Sequence, residues 1–319
     1  MPNHILALAG GVGGAKLALG LSRVLPPEAL TVVVNTGDDE TFHGLHVCPD
    51  LDTVMYTLAG LANPETGWGL RGETFRALET LERYGAPAWF RLGDADLATH
   101  IRRTDLLRQG WSLSEVTQAL CGRLGIQQTV APMSDDPVRT VALTEEGDLA
   151  FQEYFVHRQC EPRITGVRFD GAATAKVASG FAAALASDGA IVFCPSNPLV
   201  SIGPILAMPG VRERVAAFKG PRIAVSPIVS GQALRGPAAK MMAELGEEVS
   251  CVGIARRYQG LCDVLVIDEE DRTHASAIEA LGMHAAITNT IMQTDDAKIA
   301  LAREVLTLSK VKGSRPSPR

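Results

Sequence analysis

The densest chemical signal in the sequence is a glycine-rich segment near its start. Four glycines stand among residues 10–14, directly after the apolar run 5–9 and just before a stretch with helical character. Closely spaced glycines let a backbone turn tightly with its N–H groups pointing outward, and a helix N-terminus behind them adds partial positive charge. Such a segment suits a phosphate or diphosphate. We therefore expect a nucleotide or another phosphorylated molecule as the ligand.

Two familiar phosphate-binding motifs fit this segment poorly. A Walker A loop places Ser or Thr after Gly-Lys to hold magnesium, whereas Lys16 follows Ala15 and precedes Leu17. A dinucleotide fingerprint needs a glycine where Lys16 stands and a carboxylate after the second strand, where the sequence has Asn35. The sequence thus disfavours a P-loop kinase and classical NAD binding. A purely structural glycine turn is the remaining alternative.

Acidic residues follow the second predicted strand. The segments 35–40 (NTGDDE) and 48–53 (CPDLDT) both come soon after residues 31–34. In a doubly wound sheet, loops after adjacent strands meet at the carboxyl edge, so these carboxylates should lie near the glycine-rich segment. Carboxylates beside a phosphate are unfavourable without a cation between them, and Mg²⁺ usually takes one or two carboxylates plus phosphate oxygens. Asp38 and Asp52 are therefore the predicted metal or substrate ligands.

Other polar residues near the same sheet edge have simpler or additional interpretations. Asp50 is interpreted as the cap of a helix that begins just after it. Ser196 and Asn197 stand between two prolines after an apolar strand, which is typical of a turn but also places them beside the glycine-rich segment. Gly236 precedes a proline that opens a predicted helix, whose first N–H groups could bind a phosphate.

An ordered series of motifs resembles the 2-phospho-L-lactate transferase family of coenzyme F-420 biosynthesis. The resemblance spans roughly residues 5–300, and the order of the motifs makes it specific. The motifs that carry it are GGVGGAK, NTGDD, CPDLDT, FRLGD, PMSDDP, PSNPLVSIGPIL and RGPAAK.

The resemblance implies a magnesium-dependent transfer. Members of the family pass a phospho-hydroxyacyl unit from a guanosine-diphosphate-linked donor to the ribityl hydroxyl of the deazaflavin Fo, and GMP leaves. It implies that Asp52 and Arg91 bind the acceptor Fo and that Asp38 is a metal ligand, so Asp38 and Asp52 are the catalytic candidates. The predicted nucleotide or phosphate contacts are Gly10, Gly11, Gly13, Gly14, Lys16, Ser196, Asn197 and Gly236.

A second class of function is the alternative to this transfer. The same fold group includes non-catalytic regulators that bind nucleotide sugars and share the first glycine segment. They lack the pattern around Asp52 and Arg91, which this sequence has, so the enzyme is favoured. Lactate, enolpyruvate and glycerate types all stay open as the hydroxyacid of the donor.

Composition narrows the class of protein. The 319 residues are 46% hydrophobic and 21% charged, as in an ordinary globular protein. A net charge of −6 and 5% aromatic residues argue against a nucleic-acid-binding surface. Six scattered cysteines without a C-x-x-C pair disfavour a structural zinc site and suit a reducing compartment. No apolar run reaches the roughly 18 residues of a membrane helix. We expect a cytoplasmic protein with small-molecule partners and, by resemblance, a homodimer.

The alternation of apolar runs with helical stretches predicts an α/β fold. We expect a Rossmann-like, doubly wound, mostly parallel sheet with a mainly helical insertion and a β-hairpin. The predicted nucleotide-binding core covers 1–50 and 165–309, and the insertion 51–164 forms the acceptor side. The tail 310–319 is expected to be disordered. Six apolar runs are predicted strands: 5–9, 31–34, 190–193, 222–225, 264–267 and 284–287.

Overall fold

The structure is a computed structural model that describes residues 4–310 of the chain. Fourteen strands lie in these residues: β1 (Ile5–Ala9), β2 (Leu30–Val34), β3 (Glu40–Phe42), β4 (Leu45–Val47), β5 (Thr129–Pro132), β6 (Arg139–Thr144), β7 (Gly147–Ala150), β8 (Ile164–Asp170), β9 (Ala190–Phe193), β10 (Arg222–Val225), β11 (Ile228–Val229), β12 (Gln232–Ala233), β13 (Val264–Ile267) and β14 (His284–Ile287).

Twelve α-helices lie in the same residues. They are α1 (Gly11–Val24), α2 (Pro49–Leu58), α3 (Arg76–Arg83), α4 (Asp94–Arg108), α5 (Leu113–Arg123), α6 (Ser179–Ala186), α7 (Ile202–Ala207), α8 (Val211–Ala217), α9 (Ala238–Glu244), α10 (Cys251–Arg257), α11 (Ala275–Ala280) and α12 (Asp295–Leu308).

Seven strands form one parallel sheet in the order β14-β13-β10-β9-β1-β2-β5. All six predicted strands belong to it, so the predicted doubly wound α/β fold is confirmed. Alternate residues of β1 face opposite sides. Leu6 and Leu8 pack into one apolar core, whereas Ile5, Ala7 and Ala9 pack into the other. Burial on both faces is typical of a parallel sheet with helices on each side.

The segment predicted as an insertion contributes to this central sheet. β5 lies within 51–164, yet it pairs with β2 in parallel and forms one edge of the sheet. Leu51 and Val54 of α2 also belong to the apolar core around α1. The central layers therefore take the strand β5 and residues of the two helices α2 and α5 from the range assigned to the insertion. Apart from Lys310, the tail predicted to be disordered lies outside the described residues.

The predicted β-hairpin is present and is extended by a third strand. β6 pairs antiparallel with β7 and, on its other side, with β8. The second strand of the hairpin, β7, ends at Ala150, and a π-helical turn follows at Glu153–His157. Phe151 and Tyr154 are both buried there. A spacing of three residues places both on one side of a helical turn, whereas a strand would direct them to opposite faces.

Candidate active site

The carboxyl ends of β1 and β9 border the crevice where the strand order changes direction. β2 and β5 lie on one side of β1, and β9 with the later strands lies on the other. Ligands of doubly wound proteins bind at such a switch point. Gly10, after β1, meets Ser196, after β9. The Gly10 N–H donates to Ser196 Oγ over 3.0 Å, and this hydroxyl donates to the Gly10 carbonyl over 2.9 Å.

The predicted glycine loop is the first turn of a helix. α1 begins at Gly11, inside the glycine-rich segment rather than after it. Close packing explains part of the glycine content, because a Cβ at Gly13 would overlap the carbonyl oxygen of Pro195. The glycine therefore lets the helix N-terminus approach the turn after β9. That packing supports the structural interpretation of Gly13, while the N-terminus of the helix still offers partial positive charge to an anion.

Asp50 connects the start of α2 to the start of α1. The interpretation of Asp50 as the cap of its own helix was wrong, because α2 begins at Pro49 and the Asp50 carboxylate points to the neighbouring helix. Its Oδ1 accepts a hydrogen bond of 2.5 Å from the Gly11 N–H. An acidic side chain at a helix N-terminus is favourable, since it satisfies a free N–H and the helix dipole.

Asn35 joins Asp50 to Asp38. The Asn35 side-chain amide donates to Asp50 Oδ2 over 2.9 Å and to Asp38 Oδ1 over 3.2 Å. Its own oxygen accepts from the Gly37 N–H over 2.8 Å, which fixes the orientation of the amide. A dinucleotide-binding protein would have a carboxylate at position 35. Here Asn35 stands there, and its amide bridges the carboxylates of Asp38 and Asp50. Asp38 and the first turn of α1 consequently lie on the same side of the crevice.

Burial disfavours the ionised forms of the carboxyl groups in this cluster. Burial, followed by the charges of Asp50 and Asp39, raises the pKa of Asp38 well above its ordinary value. Burial also raises the pKa of Asp50 to about 6, against the opposing hydrogen bonds from Asn35 and Gly11. Carboxylate oxygens are ligands that Mg²⁺ prefers, and a divalent cation would offset the repulsion between the two carboxylates. Asp38 and Asp50 therefore fit a magnesium ion.

Asp52 lies in a different environment from the one predicted. Both of its carboxylate oxygens accept from the buried guanidinium of Arg103, with Nη1 3.1 Å from Oδ2. His100 Nδ1 lies 3.6 Å from the same Oδ2, and His100 Nε2 lies 3.2 Å from Asp96. A carboxylate held by a guanidinium is a poor partner for a second cation. The geometry consequently favours Asp50 over Asp52 as the companion of Asp38.

The two residues predicted to bind the acceptor occupy contrasting positions. Asp52 is buried in the first turn of α2, whereas Arg91 is exposed in the segment before α4, with its guanidinium 4.2 Å from the centre of the Phe75 ring. Half-buried aromatic rings lie next to Arg91 in the chain. Phe90 stacks on Phe42 with ring centres 4.0 Å apart, and the Phe42 ring belongs to β3. This surface offers flat apolar groups beside a cation.

The predicted phosphate contact Lys16 lies in a group of cations. Burial lowers the pKa of Lys16, and the positive charges of Arg235 and Lys298 lower it further. These charges come from three separate segments, and Gly236, with a φ of +73°, follows Arg235 directly. Lys298 already pairs with Asp295 over 2.7 Å. Arg235 donates to the carbonyls of Glu65 and Thr66. The remaining excess of positive charge favours an anion nearby. The surroundings of Lys16 and Gly236 are thus suited to a phosphate.

The predicted contact Asn197 is partly occupied by its own turn. Its side-chain oxygen accepts from the N–H groups of Leu199 and Val200, over 2.9 and 3.4 Å. This is the local turn that its flanking prolines indicated. Its side-chain NH₂ group lies 3.8 Å from Met241 Sδ, a weak acceptor. The NH₂ group is therefore the part of Asn197 that is available to a ligand.

Sequence reasoning missed Asp50 and Arg103 as parts of the site. Arg103, His100 and Asp96 follow one another at spacings of three and four residues on α4, and all three are buried. That spacing places polar side chains on one face of a helix, which is a detectable sign of a buried polar network. For Asp50 no such sign exists, since its partner is 39 residues away.

The sheet, its helices on both faces and the crevice at its switch point define a doubly wound α/β protein. The chain belongs to the 2-phospho-L-lactate transferase CofD family, whose model matches residues 5–305. A phosphoenolpyruvate transferase of Streptomyces griseus is 45% identical over 313 residues, which cover 96% of this chain and 98% of the relative. A 2-phospho-L-lactate transferase of Methanosarcina acetivorans is 41% identical over 304 residues, which cover 95% and 98%. The resemblance predicted from the motifs is confirmed.

The fold is shared with a more distant protein. A crystal structure of a UPF0052 family member from Bacillus halodurans superimposes with a TM-score of 0.63 at 14% identity, covering 96% of this chain and 99% of the other. At that identity the likeness concerns the fold alone. Among residues 4–310, no helix combines the length and apolar character needed to cross a membrane.

Proposed function

We propose that this protein transfers a phospho-hydroxyacyl unit from a guanosine-diphosphate-linked donor to the ribityl hydroxyl of the deazaflavin Fo, with Mg²⁺ as cofactor and GMP as the leaving group. The family and the names of the relatives support a transferase that handles 2-phospholactate or phosphoenolpyruvate. The observation that carries the proposal is the chain of hydrogen bonds from the first turn of α1 through Asp50 and Asn35 to Asp38.

The donor is expected to lie along the crevice with its diphosphate near the start of α1. The N-terminus of α1 and the cations Lys16, Arg235 and Lys298 attract its negative charge. Asp38 and Asp50 would hold Mg²⁺, which would supply charge neutralisation on the diphosphate oxygens. The turn at Ser196 and Asn197 closes the other wall of the crevice, where we place the nucleoside. In this arrangement the protein aligns the reactants and balances charge, which is most of what phosphoryl transfer needs.

The acceptor is expected to approach over the aromatic surface near Arg91. Phe42 and Phe90 offer faces on which a planar deazaflavin could stack, and Arg91 offers a donor for its carbonyl oxygens. The ribityl hydroxyl oxygen attacks the phosphorus of the phospho-hydroxyacyl group, the bond from that phosphorus to the GMP oxygen breaks, and the hydroxyl proton passes to solvent. Asp52 is a hydrogen-bond acceptor held in place by Arg103, and we assign it the role of orienting this hydroxyl.

A transfer assay with purified protein tests this proposal. Fo, Mg²⁺ and either the lactyl or the enolpyruvyl donor are incubated with the protein, and the products are identified by mass. We expect the phospho-hydroxyacyl ester of Fo and one equivalent of GMP, with no product when the divalent cation is chelated. Asp38→Asn should lower turnover at least about 100-fold, because it removes charge that acts on the reacting phosphate. Asp148→Asn, in an exposed part of β7, is the matched control and should be unchanged.

Two outcomes would contradict the proposal. One is the absence of product from both donors although the folded protein binds Mg²⁺ and GDP. The other is tight binding of UDP-N-acetylglucosamine without any response to Fo, which would favour the nucleotide-sugar-binding regulators.

A further inference from the structure

A group of metal-binding side chains lies beside the proposed magnesium site but outside it. It consists of Asp39, His46 and Cys48, whose ligand atoms all lie within 4.8 Å of one another. Asp39 Oδ2 is 3.2 Å from His46 Nε2 and accepts a hydrogen bond of 3.0 Å from Cys48 Sγ. These residues come from three places, namely the end of the loop after β2, the strand β4 and the residue before α2. We call them the Asp-His-Cys cluster.

One carboxylate oxygen of this cluster has no partner. Asp39 is 3% exposed, and its Oδ1 lacks a hydrogen-bond partner among the described residues. A buried carboxylate oxygen without a partner carries a large desolvation cost, so it needs a donor or a cation. The same holds for the buried hydroxyl oxygen of Thr36, which lines a cavity of about 180 Å³ together with Asp39 and His46. This cavity gives a small ion a route to the cluster.

Although the cysteine spacing disfavoured a structural zinc site, we propose that Asp39, His46 and Cys48 form one that joins the β3–β4 hairpin to the start of α2. Thiolate and imidazole ligands select Zn²⁺ over Mg²⁺, and a tetrahedral zinc site with three protein ligands keeps a fourth position for water. Zinc–ligand bonds of about 2.0–2.3 Å place neighbouring ligand atoms roughly 3.3–3.8 Å apart. The present separations from Asp39 Oδ2 are 3.0 and 3.2 Å, so small outward movements would admit the ion.

Zinc binding replaces a proton in this cluster. The Cys48 thiol gives up the proton that it now donates to Asp39, the sulfur binds Zn²⁺, and the proton passes to solvent. A role for Cys48 as a nucleophile fits less well, because its side chain is fully buried and its hydrogen bond goes to a carboxylate rather than to the imidazole. The ion would also hold Asp39 and Cys48, which are next to Asp38 and close to Asp50 in the chain.

Metal titration of the full chain tests the proposal. The protein is stripped with a chelator and titrated with Zn²⁺ against a chromophoric competitor, and then with Co²⁺ as a spectroscopic probe. We expect one equivalent to bind, with the near-ultraviolet charge-transfer band of a cobalt–thiolate bond and the visible bands of a tetrahedral site. Cys48→Ser should abolish the charge-transfer band, and both Cys48→Ser and His46→Ala should weaken zinc binding at least about 100-fold.

Matched controls separate this site from other thiols and from the proposed function. Cys262→Ser and His284→Ala change residues of the same types at the opposite part of the sheet and should bind zinc as the natural protein does. Asp38→Asn should keep the cobalt spectrum while losing transfer. His46 is only half-buried, so His46→Ala should fold even if Cys48→Ser does not. Absence of stoichiometric zinc, or a folded His46→Ala protein that binds zinc unchanged, would overturn the proposal.

Discussion

At the scale of single residues, the site depends on how buried charges are partnered. Asp50 and Asp38 share one amide, whereas both oxygens of Asp52 accept from the guanidinium of Arg103. The first arrangement leaves negative charge to be matched by a cation, and the second is already neutral. Under the proposed function, neighbouring carboxylates serve different purposes: Asp38 and Asp50 would bind a metal, and Asp52 would accept a hydrogen bond from the acceptor hydroxyl.

The buried ion pair between Asp52 and Arg103 gives a prediction at this scale. Arg103→Met should lower the free energy of unfolding by about 3–5 kcal/mol, because it leaves the Asp52 charge buried without its partner. The double variant Asp52→Asn with Arg103→Met should recover part of that loss. Urea unfolding followed by circular dichroism measures both changes.

The neighbouring Arg102 is the control for this experiment. It forms an ion pair with Asp105 in which both side chains are more than half exposed, at 57% and 52%. Arg102→Met should therefore change the free energy of unfolding by less than about 1 kcal/mol. If the two arginine substitutions lowered the free energy of unfolding equally, the buried Asp52–Arg103 pair would contribute no more to stability than an exposed pair.

At the scale of elements, the first turn of α1 is held between two other segments. The turn after β9 lies against it on one side, and the start of α2 lies against it on the other. Gly20 plays the same part further along α1, because a Cβ there would overlap the carbonyl oxygen of Lys298 in α12. Several of the glycines in this helix thus permit close packing of neighbouring backbone.

Substitution of Gly13 tests this packing. Gly13→Ala should lower the free energy of unfolding by roughly 1–3 kcal/mol, since the new methyl group forces α1 away from the Pro195 carbonyl. Gly122→Ala, within α5, is the matched control, because a Cβ there would meet no atom within 4 Å. Gly122 lies in the last turn of α5, where that substitution should raise stability by up to about 0.5–1 kcal/mol. Stabilisation by both variants would show that Gly13 is not required for packing.

The elements differ in how far the sequence could predict them. Continuous apolar runs such as β1 and β9 were predicted with the bounds that the structure shows, because a strand buried on both faces has no polar positions. β5 was missed, since it is a short edge strand that ends in Pro132. Asp38 was predicted to lie by the glycine segment because it follows a strand, which fixes its edge of the sheet. The direction of the Asp50 side chain depends on how α1 and α2 pack, which the local sequence does not predict.

At the scale of the whole molecule, ligand binding should stabilise the entire fold. The crevice is bordered by β1, β9, α1 and α2, so a ligand that fills it connects elements from both halves of the chain. Anything that binds only the folded state raises its stability in proportion to the logarithm of ligand concentration.

Thermal unfolding with GDP tests this expectation. GDP with Mg²⁺ at about 100 times its Kd should add roughly 2.7 kcal/mol of stability and raise Tm, whereas GDP with a chelator should add less. Lys16→Ala should remove most of the gain, because it deletes a cation beside the proposed diphosphate site. Lys219→Ala, an exposed residue after α8, is the control and should keep the full gain. If GDP raised Tm by the same amount with the chelator and in Lys16→Ala, the proposed donor site would be contradicted.

The hydrogen bond between Gly10 and Ser196 spans 186 residues, and this has a consequence during synthesis. A ribosome that adds about 5–20 residues per second needs roughly 10–40 s to make the second partner after the first. Throughout that interval the acidic residues and the N-terminus of α1 are already made, but the turn after β9 that packs against them is not. If these carboxylates hold Mg²⁺ as proposed, the ion would meet them before the fold is complete, and metal binding would accompany folding rather than follow it.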